Sequence, residues 1–285
     1  MTARIDAHQH YWRTARGDYG WLTPALAPIH QDFGPADLQP LLLRHRIDAT
    51  ILVQAAPTVA ETRFLLDLAA ATPSVAGVVG WAPLAAPDAV AQVAALAADP
   101  LLVGLRPMLH DLDDPDWVLG DALPPALQAM ARHGLVFDAL VRPQHLSRVL
   151  VLADRCPELR IVIDHAGKPD LRAAWNERWS ADMAALAARP SVCCKLSGLL
   201  TEAAPGADVA VVAPVFTQLL RIFGAERLLW GSDWPVLNLA ADYDRWVAVT
   251  ETLLQPLCAA EREAILGGAA ARIYLERRGR RLAEC

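Results

Sequence analysis

The stretch Arg4-Ile5-Asp6-Ala7-His8-Gln9-His10-Tyr11-Trp12 carries two histidines one residue apart inside a strand-like run. Side chains of a strand alternate faces, so His8 and His10 project the same way, about 6.5 to 7 Å apart along the backbone. Two imidazoles so placed can share one metal ion or one water. The pair alone is a weak signal, because most histidines have ordinary roles. Two distant stretches strengthen it. Ile161-Val162-Ile163-Asp164-His165-Ala166-Gly167-Lys168-Pro169 reads as a strand ending in a histidine. Leu228-Leu229-Trp230-Gly231-Ser232-Asp233-Trp234-Pro235 reads as a buried strand with a carboxylate at its C-terminal end. Three neutral imidazoles and one carboxylate form a borderline-soft donor set suited to Zn²⁺, with water as the remaining ligand. Water on such an ion becomes a nucleophile near neutral pH and Asp233 can take its proton, so hydrolysis is the natural chemistry. The ordinary alternatives are a hydrogen-bonded His165 at a strand end and an Asp233 that caps the turn before Pro235.

Whether these residues meet depends on the elements that carry them. Apolar strand-like runs at Ala49–Gln54, Val75–Leu84, Leu101–Arg106, Leu135–Val141, Arg160–His165, Val192–Leu196 and Arg227–Ser232 follow the first strand. Helical spacing separates them, over 37–46, 61–71, 89–98, 121–133, 144–155, 175–188 and 209–223, with two last helices near 243–254 and 260–275. Asp37 and Asp88 are placed to cap two of these helices, and Gly134 to close a third in the left-handed conformation. Eight strands alternating with helices in 285 residues, 54% of them hydrophobic, predict a parallel (β/α)8 barrel occupying residues 1–285 as one domain. An open doubly wound sheet is the alternative, and no glycine-rich dinucleotide fingerprint supports it. In a barrel every strand's C-terminal end faces one rim, so His8, His10, His165 and Asp233 converge. The segment at 11–36 combines Gly17, Gly20, Pro24 and Pro28 with Tyr11, Trp12, Tyr19 and Trp21. It is too long for an ordinary connection and too aromatic for disorder, and is expected to roof the site.

Only 20% of residues are charged and the formal net charge is −6, so no basic field exists to attract nucleic acid or an anionic membrane. A small-molecule partner is expected, with a homo-oligomer left open. Five cysteines (Cys156, Cys193, Cys194, Cys258 and Cys285) are odd in number and lack Cys-x-x-Cys spacing, the usage of a reducing compartment. The chain enters a strand at once without a basic and apolar leader and contains no run of 18 apolar residues, so a cytoplasmic protein is expected.

The motifs Ile5-Asp6-Ala7-His8-Gln9-His10, Asp164-His165-Ala166-Gly167-Lys168-Pro169, Lys195-Leu196-Ser197-Gly198 and Trp230-Gly231-Ser232-Asp233-Trp234-Pro235 span nearly the whole chain. Together they resemble the amidohydrolase superfamily, in particular its branch of amidohydrolase-related sugar-acid lactonases. The resemblance implies that His8, His10, His165 and Asp233 are the catalytic or metal positions and that Asp233 shuttles the proton. It also implies an aldonolactone substrate, such as the lactone of an oxidised fucose, rhamnose or galactose. The two-metal pattern of the superfamily is not met. Arg106 stands where a bridging lysine would end the fourth strand, and Asp138 and Arg142 share a face where the fifth would offer a histidine. At most one ion is expected, and some members of this branch are held to work without a tightly bound metal.

For substrate contacts, Arg106 and His110 share strand parity, and an inward arginine suits a carboxylate, a carbonyl oxygen or hydroxyls. The alternative pairs Arg106 with Asp138 in the barrel wall, which leaves Asp138 itself a candidate for substrate binding or structure. Lys195, if buried, demands a carboxylate partner. Trp12, Trp21, Trp81 and Trp234 could stack on a sugar ring, Trp12 and Trp21 being the principal candidates, although most tryptophans simply pack. Cys193 and Cys194 read as small core residues. The competing functions are hydrolysis of a dicarboxylated ring lactone, a metal-dependent non-oxidative decarboxylase, and an inactive binding barrel.

Overall fold

The computed structural model describes residues 3–173 and 175–279; Cys285 lies outside them. Eight strands, β1 (Ile5–Gln9), β2 (Ala49–Val53), β3 (Val75–Gly80), β4 (Leu102–Leu105), β5 (Val136–Ala139), β6 (Ile161–Ile163), β7 (Val192–Leu196) and β8 (Leu228–Trp230), pair in sequence order. Every pairing is parallel. The helices between them are α1 (Pro35–His45), α2 (Val59–Ala70), α3 (Ala89–Ala97), α4 (Pro124–Arg132), α5 (Leu146–Arg155), α6 (Glu177–Ala187) and α7 (Val209–Phe223), followed by α8 (Tyr243–Leu254) and α9 (Ala259–Glu263). Beyond the last strand residues, His10 N donates to Trp234 O (2.8 Å) and Asp233 N to His8 O (2.8 Å). The sheet is therefore a closed (β/α)8 barrel, sealed between its first and last strands by the backbone of the candidate catalytic residues.

Apolar side chains from the eight strands fill the interior: Ile5, Ala7, Ile51, Val53, Val79, Val103, Val136, Val162, Cys193 and Leu229 form one cluster. The helices bury their apolar stripes against the outer face of the sheet in a second, larger cluster. This double burial explains why the strands read as continuous apolar runs and not as alternating ones. The expected alternation fails once, and usefully. Ile5 and Ala7 belong to the interior cluster, yet His8, next in sequence, also faces inward, and the β1–β2 register shifts between Asp6 and Gln9. A bulge of this kind adds one residue and re-aims those that follow.

Some helix ends differ from the sequence reading. α1 begins two residues before Asp37, with Pro35 in its first turn, and Asp37 works from inside that turn by accepting a hydrogen bond from Gly34 N (2.8 Å). Gly134, just past α4, has φ 68° as expected. The region 260–275 is α9 continued by two π-helical turns, Ala264–Gly268 and Ala271–Leu275. This segment plugs the barrel floor, where Ala269, Ala270, Ile273 and Tyr274 join the interior cluster. A Cβ on Gly267 would stand 1.9 Å from Ala3 O and 3.1 Å from Ile5 N. Those are backbone atoms leading into β1 and cannot rotate away. Gly267→Ala is therefore expected to destabilise the fold by about 1–3 kcal/mol through overpacking, read as a lower denaturation midpoint at unchanged slope. A midpoint equal to that of the wild type would refute the seating of this segment on β1.

Candidate active site

The first imidazole pair sits where β1 has been re-aimed by its bulge. His8 Nε2 and His10 Nε2 lie 3.2 Å apart, and both approach Asp233 Oδ1, at 3.6 and 3.3 Å. His165 Nε2 comes within 3.8 Å of the same oxygen. Two local devices bring the later residues in. Residues 165–168 run through a left-handed turn (φ 52°, 54°, 68° and 52°) that lifts His165 off the end of β6, and Asp233 has φ 60°. Backbone conformations of this kind cost energy for residues with side chains and gather at functional sites. Gly198 and Gly231 leave the room: a Cβ on Gly198 would meet His165 Nδ1 at 2.5 Å, and one on Gly231 would meet His8 Cβ at 2.8 Å.

Each ring is anchored from behind. His10 Nδ1 lies 2.8 Å from the carbonyl of Val53, which can only accept, so this ring carries a hydrogen on Nδ1 and turns Nε2 toward Asp233. His165 Nδ1 meets Ser197 Oγ at 2.9 Å. His8 Nδ1 meets Lys195 Nζ at 3.1 Å and Asp164 Oδ1 at 3.4 Å. The ordinary reading of Asp233 as a turn cap does not describe the structure, since Ser232 Oγ is what accepts from Trp234 N (3.0 Å).

The electrostatics follow from burial. His8, His10, His165, Arg106 and Asp233 are all nearly closed to solvent. Burial pushes His165 down to about 4, with Lys168 and Arg106 acting in the same sense and Asp233 opposing. Burial would raise Asp233, yet the imidazoles of His165, His10 and His8 more than offset it and hold the carboxyl well below its usual range. His8 is likewise pushed far down by burial and by Lys195. Burial thus favours neutral His8 and His165 beside an ionised Asp233, the states that ligation or proton abstraction requires.

Residues this arranged fit a divalent ion. Ligand atoms of His8, His165 and Asp233 all lie within 4.8 Å of one another. The nearer separations, 3.2 to 3.8 Å, bracket the roughly 3.3 Å that tetrahedral nitrogen and oxygen ligands of zinc keep between them. His10 Nε2 stands 3.3 Å from Asp233 Oδ1, close enough for both to ligate one ion.

The other residues singled out in the sequence divide. Arg106 reaches the site, with Nη1 3.4 Å from His8 Nε2 and 3.3 Å from Asp164 Oδ2, and Nη2 donating to Gln54 O. It does not pair with Asp138. Asp138 is fully buried and taken by Lys195 (2.6 Å) and Tyr274, so it lies in the wall and not on a substrate surface. Trp12 is also fully buried, its indole donating to Gln31 O (2.7 Å), which makes it the core of the 11–36 loop. That core continues through Phe33 to Trp234, beside Asp233, with edge-to-face spacings of 5.6 and 5.1 Å. His110 sits on the rim after β4, lowered to about 3 by burial and by the charges of Lys168, Arg106 and Arg142. Trp21 is half-buried, tied to Ala55 O, and lines a cavity of about 660 Å³ with Trp81, Met108 and Trp117. A second cavity of about 700 Å³, lined by Arg142, Lys168, Arg172 and Glu202, lies on the same rim after β5–β7. Sequence reasoning left Asp164, Ser197 and Gln54 without roles. Asp164 shares strand parity with the interior residue Val162, a signal that was available.

The amidohydrolase family pattern matches the chain over residues 5–275, nearly its whole length. The chain belongs to the amidohydrolase family. It is 49% identical over 278 residues to an L-fucono-1,5-lactonase of Burkholderia ambifaria, covering 96% of each chain. A protein of the same name from Burkholderia multivorans is 39% identical over 289 residues, covering 95% of each. Among solved structures, a B. multivorans amidohydrolase crystallised with bound zinc superposes with TM-score 0.90 at 38% identity, over 95% of this chain and 99% of that one.

Proposed function

We propose that this amidohydrolase opens a sugar-acid lactone of the L-fucono-1,5-lactone type by adding water to the ring carbonyl. The observation that carries the reading is the convergence of three imidazoles on the Asp233 carboxylate, in a chain that matches a named lactonase over 96% of both lengths. Asp233, ionised and buried, takes a proton from the attacking water. The oxygen forms a bond to the carbonyl carbon, the carbon to ring-oxygen bond breaks, and the proton passes to the departing ring oxygen as it becomes a hydroxyl. Arg106 stands beside the imidazoles, where its guanidinium can stabilise the charge that develops on the carbonyl oxygen. His110 and Trp21, on the rim, are assigned to substrate contact; Trp12 and Asp138 are withdrawn from that role because both are fully buried.

His8, His10, His165 and Asp233 would hold one Zn²⁺, which when bound supplies Lewis-acid polarisation and a water of lowered pKa. A second ion is disfavoured because the Arg106 guanidinium stands at the end of β4 and Asp138 on β5 is already engaged by Lys195 and Tyr274. Protein purified without chelators is expected to carry no more than one divalent ion per chain; a reproducible ratio near two would refute this. Activity that survives chelation with a ratio near zero would remove the metal and leave the imidazoles positioning water by hydrogen bonds. The function itself is tested by proton release from a panel of aldonolactones, with dicarboxylated ring lactones and aromatic acids as controls. Turnover confined to the controls, or none at all, overturns it.

A further inference from the structure

The interior beneath the imidazoles holds a charged group that the reaction above does not use. Lys195 on β7 is fully buried. Its ammonium donates to Asp138 Oδ2 at 2.6 Å, lies 3.1 Å from His8 Nδ1 and forms an ion pair with Asp164 Oδ1 at 3.0 Å. Below it, the Tyr274 hydroxyl of the floor segment donates to Asp138 (2.8 Å), and its ring faces the ammonium at 5.4 Å. Beside it, Arg106 takes the other oxygen of Asp164. Two cations and two carboxylates thus balance in a space sealed from water. Such a cluster is costly to bury, and apolar residues of the same volume commonly stabilise a core as well or better. The apolar layer of Val103, Val136, Val162 and Cys193 sits on the same four strands, β4 to β7, so filling the barrel does not call for charge.

The contact that distinguishes Lys195 is the one to His8. Each of the three imidazoles has a partner at Nδ1: the Val53 carbonyl for His10, Ser197 Oγ for His165 and Lys195 for His8. A carbonyl accepts, whereas an ammonium donates. We propose that Lys195 is a positioning residue, held from below by Asp138 and Tyr274, which grips His8 by Nδ1 and so aims its Nε2 at Asp233 and His10. The ammonium can only donate and is the nearer partner of Nδ1, while Arg106 Nη1 at Nε2 and Asp164 Oδ1 at Nδ1 each stand 3.4 Å away. The neutral His8 ring of the metal-free protein therefore carries its hydrogen on Nε2; holding an ion through Nε2 would instead place that hydrogen on Nδ1, facing Asp164 Oδ1. In the metal-free protein the 3.2 Å gap between the two Nε2 atoms is then an ordinary hydrogen bond from His8 to His10.

The test has two arms. The kinetic arm rests on the lactone-hydrolysis reading; the spectroscopic arm does not. In folded Lys195→Met, kcat for the lactone is expected to fall about 10- to 100-fold, the usual effect of removing a partner that orients an active-site histidine. KM should move less than about threefold, and Lys195→Arg, which can still donate, should recover part of the loss. A residue that only filled the wall would lower the melting temperature and leave kcat alone, so a folded Lys195→Met with wild-type kcat overturns the proposal. The second arm uses metal-free wild-type protein with ¹⁵N-labelled histidine, the His8 signals assigned by comparison with His8→Asn. Protonated Nε2 and unprotonated Nδ1 are expected. A protonated Nδ1 on His8 overturns the proposal whether or not Lys195→Met folds and whichever substrate the enzyme takes.

Discussion

Asp233→Asn is expected to leave the barrel intact and to lower turnover by about 10² to 10⁴, or roughly 3 to 5.5 kcal/mol of barrier. The amide keeps the shape of the carboxylate and can still accept a hydrogen bond, but it cannot take a proton from water near neutral pH. The backbone is the first place such a substitution could fail for trivial reasons, and here it does not. Asp233 sits at φ 60°, where asparagine is among the best tolerated residues, and the turn toward Pro235 is capped by Ser232. The loss should therefore appear in kcat with the circular dichroism spectrum unchanged. Rates within about threefold of the wild type, a difference of only about 0.65 kcal/mol, would dispose of the general-base role.

The same carboxylate fixes the shape of the pH profile. As the proposed general base Asp233 would work ionised, and its folded-state pKa is depressed, so that form persists as pH falls past the usual carboxylate range. His165 works neutral and is pushed down to about 4, chiefly by burial. Both groups lose their working forms only at low pH. Activity is expected to be level from neutrality down to about pH 5 and to fall as pH drops through about 4. An acid limb centred near 6.5, the value of an unperturbed histidine, would mean that His165 is not the buried, neutral group described above.

The barrel was legible in the sequence because strands buried on both faces leave continuous apolar runs and because eight of them alternate with helices. The four converging residues were legible for a related reason: each follows or ends such a run, and parallel strands place all those ends on one rim. What the sequence did not disclose depends on who meets whom across the barrel. Asp138 looked equally suited to a substrate and to the wall until Lys195 and Tyr274, 57 and 136 residues away, were seen to claim it. Trp12 has the type of a sugar-stacking residue, and only the packing of Phe33, Trp21 and Tyr19 around it reveals a loop core. The inward turn of His8 directly after Ala7 arises from a bulge, which leaves the two-residue spacing of the histidines untouched and so carries no pattern in the chain.

Gly198→Ala is expected to be nearly as damaging as the loss of Asp233, although it removes no functional group. Gly198 has φ 62°, a conformation that costs an alanine about 1–2 kcal/mol. Its methyl would stand 2.5 Å from His165 Nδ1, 2.8 Å from His165 Cγ and 3.1 Å from Asp233 Oδ2. Something must move, and the backbone of the Ser197-Gly198 turn is tied in place, with Ser197 Oγ on His165 and Gly198 O accepting from Thr201. The imidazole is what yields, and it loses both its hydrogen bond to Ser197 and its approach to Asp233. A displacement near 1 Å at a reacting centre can cost about 100-fold in rate, so kcat should fall by at least that much. Stability should fall by only the few kcal/mol that strain and overpacking set. The discriminating measurement is kcat on protein shown to be folded at the assay temperature. If that protein turned over lactone at the wild-type rate, His165 would not need the position it holds here, and its place in the machinery would have to be given up.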